Sequence, residues 1–151
     1  MTEPLAPLCG RFEGPLHSYG VRVYHEDTDA TAVVYHATYL RWFERARSDI
    51  LALLGIDQLG AIDRGEGYYV VSDMAIRYLA SARLGEALVI ETRCDEVGAA
   101  SLRMTQTAML GDRKLCEAKV RIGFVGPEGK PRRQPDEWRR AFASITDGMG
   151  R

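Results

Sequence analysis

A chain of 151 residues has room for one domain with a sizeable core, and two domains would be cramped. A 46% hydrophobic and 27% charged composition excludes a disordered chain, and a net charge of -1 gives no overall attraction to nucleic acid or anionic membrane. No apolar run is long enough to span a bilayer. The three cysteines, Cys9, Cys94 and Cys116, are widely spaced with no CxxC pair, which argues against a disulfide framework or a zinc site and for a reducing, cytoplasmic setting. The N-terminal stretch has neither the basic start nor the apolar core of a secretory leader, so none is expected.

Residues 1–17 carry Pro4, Pro7, Gly10, Gly14 and Pro15 and read as a flexible lead-in. The domain proper is expected over 18–143, with 144–151 as a C-terminal tail. From Ser18 the alternation of Tyr19, Val21 and Val23 predicts a strand. Beyond Val34 the period lengthens: Tyr39, Phe43, Ala46, Ile50 and Leu53 recur at three- and four-residue spacings, the stripe of one long amphipathic helix that Gly55 should end. From Tyr69 the chain reads as strand. Val70, Ser72, Met74, Ile76 and Tyr78 are expected on one face. Leu88–Cys94 follows, then Leu102–Ala108 after a turn at Gly98-Ala99-Ala100. Cys116–Phe124 follows the hairpin pair Gly111-Asp112. A short helix should open at Pro135, with Trp138 and Phe142 packing back on the domain. The order predicts an α+β domain: a five-stranded antiparallel sheet covered on one face by one long helix, with edges left for pairing to a second copy.

The densest chemistry lies in Tyr24-His25-Glu26-Asp27-Thr28-Asp29, between the first strand and the long helix. A helix start offers free backbone N–H groups and the positive end of its dipole, a setting that stabilises an oxyanion. A carboxylate beside it stays ionised and can serve as nucleophile or general base. Asp27 and Asp29 serve equally well as loop and cap residues, so the pattern alone leaves both readings open. His36 is suited to acid–base work, to a substrate hydrogen bond or to a structural one. His17 and His25 are expected at the surface, and three scattered histidines make no metal site. Glu44 is either a second carboxylate near the site or the partner of Arg47 or Arg41 at helical spacing. Arg77, Arg83 and the Lys130–Arg133 cluster are phosphate-binding candidates or solvated charges. Tyr35, Tyr39, Trp42 and Phe43 could line a pocket, although Trp42 and Phe43 fit ordinary helix-to-sheet packing better.

The run Val23-Tyr24-His25-Glu26-Asp27-Thr28-Asp29-Ala30, then Val33-Val34-Tyr35-His36-Ala37, Tyr39 and Phe43-Glu44-Arg45-Ala46-Arg47, resembles the signature of the 4-hydroxybenzoyl-CoA thioesterase superfamily, and within it the YbgC-type acyl-CoA thioesterases often linked to the Tol-Pal envelope system. The similarity continues through Met74–Glu86 and covers about residues 18 to 140. It implies a hotdog fold, a sheet wrapped around the long helix, assembling as a homodimer or homotetramer with sites at subunit interfaces. It also implies hydrolysis of acyl-CoA, or of an acyl group on acyl carrier protein, to a free acid without metal or redox cofactor. Asp29 falls on the catalytic second Asp of the D-T-D motif, and the backbone N–H of His36 on the donor to the thioester carbonyl. Tyr35, Tyr39, Glu44, Arg77 and Arg83 are then the candidate substrate contacts. The family usually has Gly just before Val-Val-Tyr-His, where this chain has Thr31-Ala32. Two other functions fit a hotdog chain, a dehydratase or hydratase and a non-catalytic acyl-thioester binding module linked to the envelope. The hydration motif of the first is absent, and the intact D-T-D speaks against the second.

Overall fold

The computed structural model describes residues 9–146. The chain order is β1 (Arg11–Glu13), β2 (Leu16–Arg22), a 3-10 turn at His25–Asp27, α1 (Thr38–Leu53), α2 (Gln58–Asp63), β3 (Tyr68–Tyr78), β4 (Ala87–Val97), β5 (Ser101–Leu110), β6 (Arg113–Val125) and α3 (Asp136–Ala143). All pairings are antiparallel, in the spatial order β1-β2-β4-β5-β6-β3. Strands β2 and β3 are neighbours in sequence but lie on opposite sides of the central three strands. Their connection must therefore cross the sheet, and α1 makes that crossing over the inner face.

Helix α1 holds its place through the stripe read from sequence. Trp42, Phe43, Ala46 and Ile50 are buried against Leu88 and Ile90 of β4, Met104 of β5 and Val120 of β6. Full burial of each large apolar side chain contributes about 2 kcal/mol, far more than the exposed polar contacts on the opposite side of the helix. Ala46, Ala108 and Ala118 are fully buried, where small side chains let helix and sheet approach closely. The helix ends as expected: Gly55, at φ 73°, donates to Ala52 O, and Ile56 N–H reaches back to Leu51 O. These two bonds satisfy carbonyls that the helix end would otherwise leave open.

The sheet has six strands rather than five. The additional one is β1, inside the segment expected to be a flexible lead-in; residues 1–8 of that segment, and 147–151 of the expected tail, lie outside the described residues. Strand β1 is short and carries no alternation long enough to read, and it is held by a side chain from elsewhere in the fold. His17, expected at the surface, is fully buried on β2. Its Nε2 lies 2.7 Å from Asp49 Oδ2 on α1, and the same oxygen accepts the Gly10 N–H at 2.9 Å. Gly10 is required there, because a Cβ would stand 2.2 Å from Ser18 O. Next to His17 across the sheet is Thr92, whose hydroxyl accepts from the buried Gln106 Nε2 at 3.0 Å. Gln106 also donates to Phe43 O at 3.0 Å and accepts from Arg47 at 2.8 Å. A belt of polar groups thus runs beneath α1 through an otherwise apolar core, paired with one another except at His17 Nδ1, which is buried without a partner among the described residues.

Strand β3 departs from its expected face pattern. Its register shifts between Val71 and Asp73, so Tyr69 and Val71 pair with Phe124 and Ile122, whereas Met74, Ile76 and Tyr78 pair with Val120, Ala118 and Cys116. The extra residue, Ser72, reverses the alternation. Met74, Ile76 and Tyr78 share a face as expected, and Val70 and Ser72 do not belong to it. Helix α2 was not anticipated; its one signal was Asp57, whose side chain caps it through Gly60 N–H. Helix α3 forms as expected, its Trp138 and Phe142 stacked around Tyr69, whose hydroxyl donates to the buried Gln134 at 2.6 Å.

Replacing Asp49 by Ala leaves buried His17 and the Gly10 N–H without an acceptor. We expect a loss of about 3 kcal/mol in unfolding free energy by urea denaturation. A loss below about 0.5 kcal/mol would mean that the β1 segment is not anchored by this pair.

Candidate active site

The acidic cluster is built as two nested turns. In the first, the His25–Asp27 turn, Asp27 Oδ2 accepts the Tyr24 N–H at 2.8 Å and the Thr28 hydroxyl donates to His25 O. The Asp27 carboxylate is therefore a cap, one of the two roles open to it. In the second, Thr28 bridges to Val34, Asp29 N–H donates to Val33 O at 2.9 Å and Ala32 N–H returns to Asp29 O at 3.2 Å. This small hairpin, 28–34, rests on the segment before β4: Val33 bridges to Arg83, Val34 N–H donates to Ala82 O and Leu84 N–H to Ala32 O.

Ala32 is the one non-glycine residue with positive φ among the described residues, at 62°. It belongs to the Thr31-Ala32 pair, which stands where the family resemblance leads one to expect Gly. Alanine holds the left-handed turn at a cost of about 1–2 kcal/mol, which the surrounding main-chain bonds of the hairpin offset. The left-handed turn at Ala32 is thus a point of local backbone strain.

At the tip, Asp29 is exposed, and its Oδ1 accepts both the Thr31 hydroxyl at 2.6 Å and the Thr31 N–H at 2.7 Å. The Thr31 hydroxyl first, then the Thr31 amide, holds the carboxyl below its ordinary value, so it is ionised at neutral pH. No donor among the described residues makes a hydrogen bond of normal geometry to Oδ2; the Val33 amide lies near the carboxylate and adds to the preference for its charged form.

The helix start is tied to this hairpin through one atom. The main-chain oxygen of Asp27 accepts the Tyr35 N–H at 2.9 Å and the Thr38 hydroxyl at 3.1 Å. His36 and Ala37 form the turn leading into α1, and their N–H groups donate to no protein acceptor among the described residues. The arrangement therefore joins an ionised carboxylate with one free oxygen to the donor-bearing end of a helix.

The remaining candidates divide between this site and elsewhere. Tyr35 and His36 are exposed beside the helix start, with ring centroids 4.5 Å apart. Tyr39 is buried, edge-on to Trp42 and Tyr78, so it supports the site from below and does not line it. Burial pushes its hydroxyl pKa up. Arg83 adjoins the hairpin through its bridge to Val33 and is exposed. Arg77 is exposed on the outer face of β3, opposite Glu117 and away from the helix. Glu44 makes neither expected ion pair: it accepts the Ser48 hydroxyl at 2.7 Å, while Arg47 turns inward to Gln106. Glu44 lines a separate pocket of about 160 Å³ with Arg47, Leu51, Tyr69 and Phe142, further along α1. In the Lys130–Arg133 cluster, Arg132 is committed to the carbonyls of Gly65 and Glu66, and Arg133 to Asp136. The residue that sequence reading missed is Tyr78, whose hydroxyl donates to His36 O at 2.9 Å. Its position at the inward end of β3 was legible, but its contact across the connection was not.

The chain belongs to the thioesterase superfamily, whose family model matches residues 31–117. Among particular proteins, it is 40% identical over 126 residues to an acyl-CoA thioesterase YbgC of Haemophilus influenzae, covering 83% of this chain and 93% of that one. It is 39% identical over 122 residues to an acyl-CoA thioester hydrolase YbgC of Escherichia coli, covering 80% and 90%. The crystal structure of a probable thioesterase from Bartonella henselae superposes with a TM-score of 0.75 at 37% identity, over 80% of this chain and 99% of that chain. A 1,4-dihydroxy-2-naphthoyl-CoA thioesterase from Synechocystis shares the fold at a TM-score of 0.78 and 22% identity, over 84% and 95%. The expected hotdog architecture is thereby established, with a sixth strand added.

The geometry at Asp29 fixes the direction of one titration. Thr31→Val removes the hydroxyl donor and keeps the amide, so the carboxyl pKa should rise toward its ordinary value, and protonation should begin at higher pH as pH falls. NMR titration of the Asp29 carboxyl carbon measures this; an unmoved midpoint would show that the Thr31 hydroxyl does not hold the charge.

Proposed function

We infer that this chain is an acyl-CoA thioesterase, converting an acyl-CoA and water to a carboxylic acid and free CoA, with Asp29 as the catalytic carboxylate. The observation that carries the reading is the tether through Asp27 O, which keeps the ionised Asp29 hairpin against a helix start with two unpaired N–H donors. A thioester carbonyl resting on those donors would have its developing negative charge stabilised as the tetrahedral intermediate forms.

Two routes use the same geometry. In one, Asp29 Oδ2 attacks the carbonyl carbon, the C–S bond breaks with its electron pair leaving on sulfur, and water then hydrolyses the mixed anhydride to regenerate the carboxylate. In the other, Asp29 takes a proton from a water that attacks directly, and the same C–S bond breaks. Both are complete with water and the chain's own groups. A reading as a pure binding module leaves the charged Asp29 without a purpose beside a carbonyl site.

Several finer features belong to this proposal. Arg83, exposed beside the hairpin, is the better placed of the two arginines to meet a phosphate of the carrier, which CoA and acyl carrier protein share in their phosphopantetheine arm. His36 contributes its backbone N–H, and its side chain stands among aromatic rings at the mouth of the site. The enzyme works as at least a dimer: β3 pairs on one side only, and Val71, Tyr78 and Leu79 around it are 47%, 45% and 48% exposed, an apolar strand edge of the kind that a second copy covers. No helix among the described residues is long and apolar enough to cross a membrane. Free cysteines, two of them buried, suit the reducing cytoplasm.

Asp29→Asn preserves shape and the acceptor for Thr31 while removing the charge. Turnover should fall by roughly two to four orders of magnitude with acyl-CoA binding retained, measured by single-turnover thiol release across short, long and aromatic acyl-CoAs. Cleavage near the wild-type rate would remove Asp29 from the mechanism. Sedimentation should show a dimer or larger assembly at micromolar concentration; a fully active monomer would refute the assembly.

A further inference from the structure

The carbonyl of His36 has an unusual partner. In a regular helix the N–H four residues on would bond to it, but Leu40 N–H turns to Ala37 O instead, at 3.2 Å. His36 O is taken by the hydroxyl of Tyr78, which arrives from the end of β3. The Tyr78 ring is set edge-on to Tyr39 at 5.8 Å and to His36 at 6.1 Å, which limits where the hydroxyl can go. Strand β3 does not need this bond to hold its end, because Leu79 and Ala80 N–H both donate to Leu115 O.

A trans peptide is planar, with its C=O and N–H pointing in opposite directions. A donor fixed on His36 O therefore fixes the direction of the Ala37 N–H, and polarises it through the shared amide. The preceding peptide is held in the same way: Tyr35 O accepts the Thr38 N–H at 2.9 Å, which directs the His36 N–H. Each of the two unpaired donors at the helix start is thus aimed by a hydrogen bond on the far side of its own peptide. One of those bonds is local to the turn, and the other comes from a separate strand.

We infer that Tyr78 is a positioning residue for thioester cleavage, its hydroxyl holding the His36–Ala37 peptide so that the Ala37 N–H faces the reacting carbonyl oxygen. The inference rests on the thioesterase reading of the helix start and adds a second donor peptide and its support to it. Burial, and then the neighbouring Cys116, push the Tyr78 hydroxyl pKa up, so it remains a proton donor across the working pH range.

The test compares Tyr78→Phe with the unaltered chain, with and without Asp29→Asn. Butyryl-CoA labelled at the thioester carbonyl is bound to the Asp29→Asn protein, and the carbonyl stretch is read by infrared difference spectroscopy. The bound carbonyl should shift to lower frequency than in solution, and adding Tyr78→Phe should reverse part of that shift. In the otherwise unaltered enzyme, Tyr78→Phe should lower kcat and kcat/KM together by about tenfold, the pattern of an interaction made in the transition state, with KM changed less than about twofold. A fall in kcat that follows only a fall in the thermal midpoint, with the carbonyl frequency unmoved, would assign Tyr78 to packing and overturn the inference. A bound carbonyl that never shifts while Tyr78 is intact would refute the underlying site reading, and the inference with it.

Discussion

The main-chain oxygen of Asp27 accepts two hydrogen bonds, from Tyr35 N–H and the Thr38 hydroxyl, and the site depends on them. They join the acidic turns to the first residues of α1 across a span that would otherwise be a plain surface loop. Without that junction, Asp29 would be an exposed carboxylate on a mobile turn and the helix start a set of donors facing water. With it, the turn that carries Asp29 is fastened to the helix start, the kind of fixed arrangement that electrostatic preorganisation requires. The Asp27 side chain contributes by capping the preceding turn, so one residue serves the site twice without contributing a reacting group.

The rest of the fold keeps that junction rigid. Helix α1 cannot slide along the sheet, because Gln106 and Arg47 lock its middle while Trp42, Phe43 and Ile50 fill the inner face. The buried pair of His17 and Asp49 fastens the β1 segment to the same helix. A hydrogen-bonded polar layer within an apolar core has few alternative arrangements, since a shift leaves further donors or acceptors buried and open. The sheet thus acts as a frame, and the hairpin at 28–34 is clamped between that frame and the helix start.

Among the described residues, positive φ outside glycine occurs at one residue. Ala32 sits in a left-handed conformation, and the main-chain hydrogen bonds of the 28–34 hairpin hold it there. Thr31, just before it, supplies both hydrogen bonds to Asp29. The pair Thr31-Ala32 therefore holds the carboxylate by two hydrogen bonds, at a local backbone cost that the hairpin bonds offset.

The sequence by itself determined the helix, its ending at Gly55, the four long strands after it and the identity of the acidic motif. Each of these rests on local chemistry: periodic apolar spacing, glycine's access to positive φ, and a residue pattern specific to a family. It put Val70 and Ser72 on the face of Met74, Ile76 and Tyr78, because the extra residue at Ser72 reverses alternation only when β6 is there to set the register. It placed His17 at the surface, because its partner Asp49 is 32 residues away and only folding brings them together. It offered Glu44 as a second carboxylate at the site or as the partner of Arg47 or Arg41, but Glu44 accepts from Ser48 and Arg47 is drawn inward by Gln106, a competitor from another strand. Tyr78 became part of the site for the same reason: a hydroxyl 42 residues from His36 in the chain is joined to it by tertiary structure alone. Contacts governed by local propensity were legible in advance, and those that depend on which strands become neighbours were decided by the assembled sheet.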